Sequence, residues 1–317
     1  MKKSLVYSAI VLLLAAMACN KTDSTVSEGE SHILFAPAAE ATRALVYQDN
    51  LTSEQFRVYD FKDDVKYIDD QIKYEEGWVY VSGDDYLWKA GTHKLFGYTT
   101  ALGALPENKK LSYTKELTTA LANQADLLYS GIVTTTADTW KHTTGNTKTT
   151  PVKLSMKHLF AAVEMAVKNG KGATIQINSV TVPSIPNSAT ATIDYSGTDV
   201  AVSIPTAPTA GTNPFVSAAA IGNVDLTDTA QLDILTQAVQ APAPYVVWPQ
   251  TIPAMTIAVQ YTQNGSTYNT TATIPSITWE AGKLYTYTLL IANVDDILLN
   301  FTVQDWVDGG SETAEFE

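Results

Sequence analysis

The strongest constraint on this fold lies in the second half of the chain, where 111 consecutive residues from Gly172 to Gly282 contain no lysine or arginine. The stretch is built from short runs rich in Thr, Val and Ile. Thr174 to Val182, Thr190 to Tyr195, Val200 to Ile204, Met255 to Tyr261 and Thr267 to Ile274 each read as a strand, separated by Pro, Ser-Gly or Asn-Gly. β-Branched side chains are stiff about χ1 and fill a pleated surface better than a helix face, so repeated short runs of them select sheets. Asn264-Gly265, between two such runs, is a hairpin turn.

The first half carries the same signal with more punctuation. Gln55 to Phe61 alternates, Trp78 to Val81 stops at Ser82-Gly83-Asp84, and Lys94 to Thr99 behaves alike. Val152 to Gly170 is filled with good helix formers. Yet Leu159, Ala161, Val163, Met165 and Val167 alternate, and a strand is expected there. Two helices are expected: Lys115 to Leu128, from the spacing of Leu117, Leu121 and Leu128, and Thr227 to Val239, from Leu232, Leu235 and Val239. The chain closes with Lys283 to Ile291 and Ile297 to Trp306, in which Ile297, Leu299, Phe301 and Val303 share one face. The fold class is therefore all-β with one or two short helices, arranged as two tandem β-sandwich domains over residues 44–171 and 172–317. No repeat period is visible.

The N-terminus reads as an export signal. Lys2 and Lys3 precede an apolar run that ends in small residues before Cys19, the single cysteine of the chain. Residues 1–18 are too short for a membrane span of roughly 20 residues and have the pattern of a signal peptide. Ala16-Met17-Ala18-Cys19 resembles the lipobox of bacterial lipoproteins, which makes Cys19 the expected lipidation site and the outer membrane the expected first partner. Residues 19–43 then form a tether, polar at first. Ile33, Leu34 and Phe35 interrupt it with three apolar residues that a tether does not need. Arg43, one of two arginines against eighteen lysines, follows shortly after.

The search for chemistry returns little. Thirty-three acidic residues against 20 basic ones give a net charge of −13, which excludes nucleic acid as an expected partner. His32, His93, His142 and His158 are scattered without metal-ligand spacing, and His158 reads as a hydrogen-bonded core or edge residue. There is no GxSxG elbow, P-loop or GxGxxG, so no enzyme activity, cofactor or metal is expected. The acid pairs Asp63-Asp64, Asp69-Asp70, Asp84-Asp85 and Asp295-Asp296 read as solvated turn charges, and Asp60 to Asp70 lacks the glycine and spacing of an EF-hand. The sequons at Asn50, Asn264, Asn269 and Asn300 carry no signal in a bacterial lipoprotein.

Four places resemble one family. They are Cys19 followed about two dozen residues later by Arg43-Ala44; DLLYSGIV at 126–133 with VKLSMKHLFAAVEM at 152–165; YVVWPQTIPAMTIAVQY at 245–261; and ITWEAGKLYTYTLLI at 277–291 followed by FTVQDWVDGG. In this order they resemble the fimbrillins, lipoprotein-precursor pilins of Gram-negative anaerobes that build type V pili. The resemblance implies two transthyretin-like β-sandwich domains and a location at the cell surface, then in the fimbrium. It also implies cleavage between Arg43 and Ala44 by an arginine-specific surface protease, and polymerisation when a strand of one subunit fills the groove vacated in the next. On that reading Ile33, Leu34 and Phe35 are a placeholder strand. Ile297, Leu299, Phe301 and Val303, within 297–306, are the candidate donor strand, although the same strand also reads as an ordinary core strand of its own domain. The partners implied are other pilus subunits, the protease and host or bacterial surface ligands.

Two further readings stay open. One is an uncleaved monomeric surface lipoprotein that binds glycan or host protein, or a tip or anchor subunit; exposed aromatics around Trp78, Tyr86 and Trp88 are its only hint, with core packing as their other use. The other is a glycoside hydrolase using two of the paired acids. The basic-free half fits either a body that a trypsin-like enzyme must leave whole, with Arg57 hidden in a strand, or simple drift.

Overall fold

The computed structural model describes residues 32–39, 51, 53–116, 126–138, 141–142, 151–204, 223–242, 244–292, 297–305 and 311–314. Strands are numbered in chain order. A nine-stranded sheet contains β1 (Phe35–Ala39), β2 (Phe56–Lys62), β3 (Val65–Tyr74), β4 (Trp78–Tyr80), β5 (Gly91–Thr99), β7 (Leu128–Ser130) and β10 (Val152–His158). Its order is β1-β10-β7-β5-β2-β3-β4, with β8 (Val133–Asp138) on β5 and β9 (Lys141–His142) on β8. A three-stranded sheet places β13 (Ser188–Asp194) between β6 (Lys110–Glu116) and β14 (Ala201–Ser203).

A six-stranded sheet has the order β16 (Gln231–Asp233), β11 (Ala161–Asn169), β22 (Lys283–Ile291), β23 (Ile297–Asp305) and β24 (Ser311–Ala314), with β17 (Tyr245–Val247) also on β11. Opposite it, four strands run β15 (Val224–Leu226), β12 (Ile175–Thr181), β19 (Met255–Gln263) and β20 (Ser266–Ile274), and β18 (Gln250–Ile252) pairs β21 (Ile277–Trp279). The expected all-β class holds.

The alternation of β2 explains how the nine-stranded sheet is covered on both faces. Phe56 and Val58 enter one core with Ile72, Trp88, Leu95 and Leu154, while Tyr59 and Phe61 enter a second with Phe96, Tyr98, Phe160 and Trp248. A third core lies between the six- and four-stranded sheets, where Val163, Met165, Ile177, Val259, Tyr261 and Tyr287 are buried. The single strand expected over Val152 to Gly170 is two, β10 and β11, and they lie in different sheets. The sheets also straddle residue 171: β11 pairs in parallel with β22, and β13 pairs with β6 over seven residues.

Both expected helices are corrected where the structure describes them. Lys115 and Glu116 end β6 and Leu128 opens β7, while 117–125 lie outside the described residues. In 227–239, Leu232 sits in β16, paired with Val167 of β11. The Asp233 carboxylate then accepts the N–H of Leu235 at 2.9 Å and the hydroxyl of Thr236 at 2.8 Å, and Thr229 (φ 65°) and Gln237 (φ 59°) are left-handed. Local capping by Asp233 and sheet pairing outcompete a helical spacing of only three apolar residues.

Candidate functional site: the seat of the first strand

β1 stands at the end of the nine-stranded sheet and pairs, among the described residues, with β10 alone. The pairing is parallel, from Phe35 opposite Val152 to Ala39 opposite Met156, so a long crossover separates the partners. Burial alternates as a half-exposed strand requires: Ile33 (0% exposed) and Phe35 (2%) are buried with Pro37, whereas Leu34, Ala36 and Ala38 are half-buried. Pro37 is tolerated because an edge strand has one side of its backbone unpaired.

The entry to β1 is held from two sides. The Val152 N–H donates to Leu34 O at 2.6 Å, and the Ile33 N–H donates to Tyr86 O at 2.7 Å. The Tyr80 hydroxyl donates to Ile33 O at 2.7 Å, and its ring meets Phe35 edge to face with centroids 6.3 Å apart. Burial, then the nearby Tyr86 and Asp70, raise the Tyr80 pKa, so this hydroxyl remains a donor across ordinary pH. His32 bridges to Leu87 and contacts Asp85. Ile33 and Phe35 close a core with Phe56, Val58, Ile72, Trp88, Leu154 and Met156. Burial of each contributes about 1.5–3 kcal/mol, against only one flanking strand.

Beneath this seat lies a buried His–Asp pair that the sequence did not reveal. His93 Nδ1 lies 2.5 Å from Asp60 Oδ2 and His93 Nε2 lies 2.8 Å from Lys89 O, with Trp88 packed edge to face on the ring. Burial pulls the His93 pKa down, but the bonds to Asp60 and Lys89 and the Asp60 charge more than offset it, and the net direction is up. Burial raises Asp60 as well, opposed by His93. His158 makes a similar contact with Asp126 at 2.5 Å, which agrees with a hydrogen-bonded role for it. Side chains at His142 are outside the described residues. No group of three or more His, Cys, Asp or Glu able to hold a metal occurs among the described residues.

The other named residues fall as follows. Cys19, Arg43 and Ala44 lie outside the described residues, Arg43 four positions beyond the end of β1. Arg57 stands in β2, paired on both sides by β3 and β5, and its Nη2 donates to Asp69 Oδ1 at 2.9 Å. β23 pairs with β22 over nine residues and with β24 on its other side; Phe301 is buried, and Ile297, Leu299 and Val303 pack on the same core. Trp88 is buried, while Trp78 packs on Phe56 and Tyr86 on Tyr80, which accounts for the aromatics as packing. Asp63 and Asp64 occupy a turn and bond Lys62 and Lys94, which lowers both carboxyls; Asp295-Asp296 is outside the described residues.

A family model described as fimbrillin-like matches residues 42–306. The chain belongs to the fimbrillin-like family. No curated protein matches it. Among solved structures it is similar to a candidate cell adhesion protein from Bacteroides ovatus, at 16% identity over 89% of this chain and 99% of that one, with a TM-score of 0.49. It is also similar to a candidate cell adhesion protein from Bacteroides uniformis (16%, 87% and 99%, TM-score 0.45) and to a fimbrial assembly protein from Parabacteroides distasonis (11%, 90% and 100%, TM-score 0.43).

Proposed function

We propose that this fimbrillin-like chain is a pilus subunit, exported as a lipoprotein through Cys19, whose first strand is a removable placeholder. An arginine-specific surface protease cuts between Arg43 and Ala44, β1 leaves with the tether, and a strand from a neighbouring subunit takes its seat. The observation that carries the reading is the burial of Ile33, two residues before β1, and of Phe35, its first residue, in a segment that ends only four residues before Arg43. Departure of β1 uncovers an apolar strip and the backbone N–H and C=O groups of β10 together. An extended strand satisfies both at once, as in strand addition.

β23 is the donor candidate carried by its alternating face. In the subunit it is an inner strand of the six-stranded sheet, so donation requires it to leave β22 and β24. The test uses the purified chain and an arginine-specific protease. Arg43→Ala is expected to keep the fold and abolish assembly, while the wild type yields Ala44 as new N-terminus and SDS-resistant ladders. A clean Ala44 product that never forms ladders contradicts polymerisation and leaves a monomeric surface adhesin. Deleting 301–317 tests β23 separately, and filaments that persist without it place the donor elsewhere.

A further inference from the structure

Strands at the ends of sheets expose unpaired backbone, and proteins ordinarily blunt them by shortness, charge or proline. Among the described residues this chain blunts nearly every one. β4, β14, β15, β16, β18 and β21 have three residues each and β24 has four. β1 carries Pro37, and the sequence of β6 begins at Lys110 and ends in Lys115-Glu116. The exception is β20, Ser-Thr-Tyr-Asn-Thr-Thr-Ala-Thr-Ile over nine residues, without charge or proline. Among the described residues its only hydrogen-bonded strand partner is β19, with an unbroken register from Met255↔Ile274 to Gln263↔Ser266 and no bulge, while β23 of the other sheet comes close to it.

The hairpin fixes which backbone groups are free. Asn264 (φ 52°) and Gly265 (φ 77°) form a two-residue turn with both φ positive, which makes Gln263–Ser266 a hydrogen-bonded pair. Pairs alternate from there, so the N–H and C=O groups of Thr267, Asn269, Thr271 and Thr273 point away from β19. The same four side chains are exposed, whereas Thr270, Ala272 and Ile274 are buried.

From this edge we infer that two copies of the chain pair through β20, antiparallel and centred on Thr270, to give one continuous eight-stranded sheet. In that register Thr267 meets Thr273 and Asn269 meets Thr271 from both directions, about eight backbone hydrogen bonds in all. Because the pairing is about a two-fold axis, exposed residues meet exposed residues and buried meet buried, with Tyr268 opposite Ala272. Charge does not oppose a second copy at this place. Each chain carries −13 and repels its like. The exposed face of β19 and β20, with Thr256, Ala258 and Gln260 beside Asn269, Thr271 and Thr273, bears no charged residue. This pairing is independent of strand exchange at the β1 seat and needs no cleavage.

Sedimentation velocity of the uncleaved full chain tests it. The wild type is expected to dimerise at tens of micromolar. N269K/T271K sets lysines opposite one another and raises the dissociation constant at least about tenfold, since like charges directly across a pair destabilise it. N269K/T271E sets opposite charges across the same positions and restores the dimer. Thr181→Lys, exposed on the same face two strands inward, leaves it unchanged. Thermal melting of each variant confirms the fold. A wild type that stays monomeric, a double-lysine variant that still dimerises, or a charge pair that fails to restore the dimer overturns the proposal.

Discussion

At the scale of single residues, the seat of β1 depends on two buried side chains, and a buried His–Asp pair packs against Trp88 of the same core. Phe35→Ala removes a ring that is 2% exposed in the core shared with Phe56 and Trp88. It is expected to destabilise the uncleaved chain by about 3–5 kcal/mol, read as a drop in the urea midpoint. The effect belongs to the precursor only: the cleaved chain has already lost Phe35, so the same substitution leaves its stability unchanged. The His93–Asp60 pair makes the same region sensitive to pH. His93 is held above its unfolded value of about 6.5, so its contribution is complete below that pH and is lost as pH rises through the folded value. Asp60 is raised too, so it also makes the folded state hold more protons, and both groups give stability that falls with rising pH. Urea midpoints are expected to decline as pH rises above about 6.5, and His93→Gln to flatten that decline; an unchanged slope in the variant contradicts the assignment.

At the scale of elements, the hairpin β19–β20 is where sequence and structure agree in detail. Asn264-Gly265 announces the turn, and flanking runs of nine residues each pair without slippage. Gly265→Ala, at φ 77°, is expected to cost about 1–2 kcal/mol, measurable as a lower melting temperature with the strands intact. Legibility was greatest where periodicity and turn chemistry coincide, as here. It failed where pairing between distant segments decides. Leu232 and Leu235 have helical spacing, but β11 recruits Leu232 into a sheet and Asp233 caps the turn behind it. Alternation through Val152 to Gly170 could not show that the chain changes sheet at Leu159-Phe160, because Phe160 and Ala162 are buried on the other side. Asp60 and His93 are 33 positions apart, so neither predicts the other without the β2–β5 register, in which the last two pairs are Phe61↔Lys94 and Lys62↔His93.

At the scale of the whole molecule, the proposed function requires that one cut separate a temporary strand from a body that survives. Apart from Arg43, the chain has a single arginine, Arg57, in a strand hydrogen-bonded on both sides and bonded to Asp69. Proteases bind extended substrate, so the Arg57–Val58 bond is accessible only if the sheet opens. Prolonged digestion with an arginine-specific protease is therefore expected to stop at residues 44–317; a second cut after Arg57 contradicts that protection. The central claim is that cleavage empties the seat of β1. Hydrogen exchange of β10, read by mass spectrometry on the chain before and after the cut, tests it most directly. The amides of 152–156, including the Val152 N–H bonded to Leu34 O, are predicted to lose protection in the cleaved monomer and regain it in the polymer. Protection of β10 that is the same before and after cleavage would contradict the account.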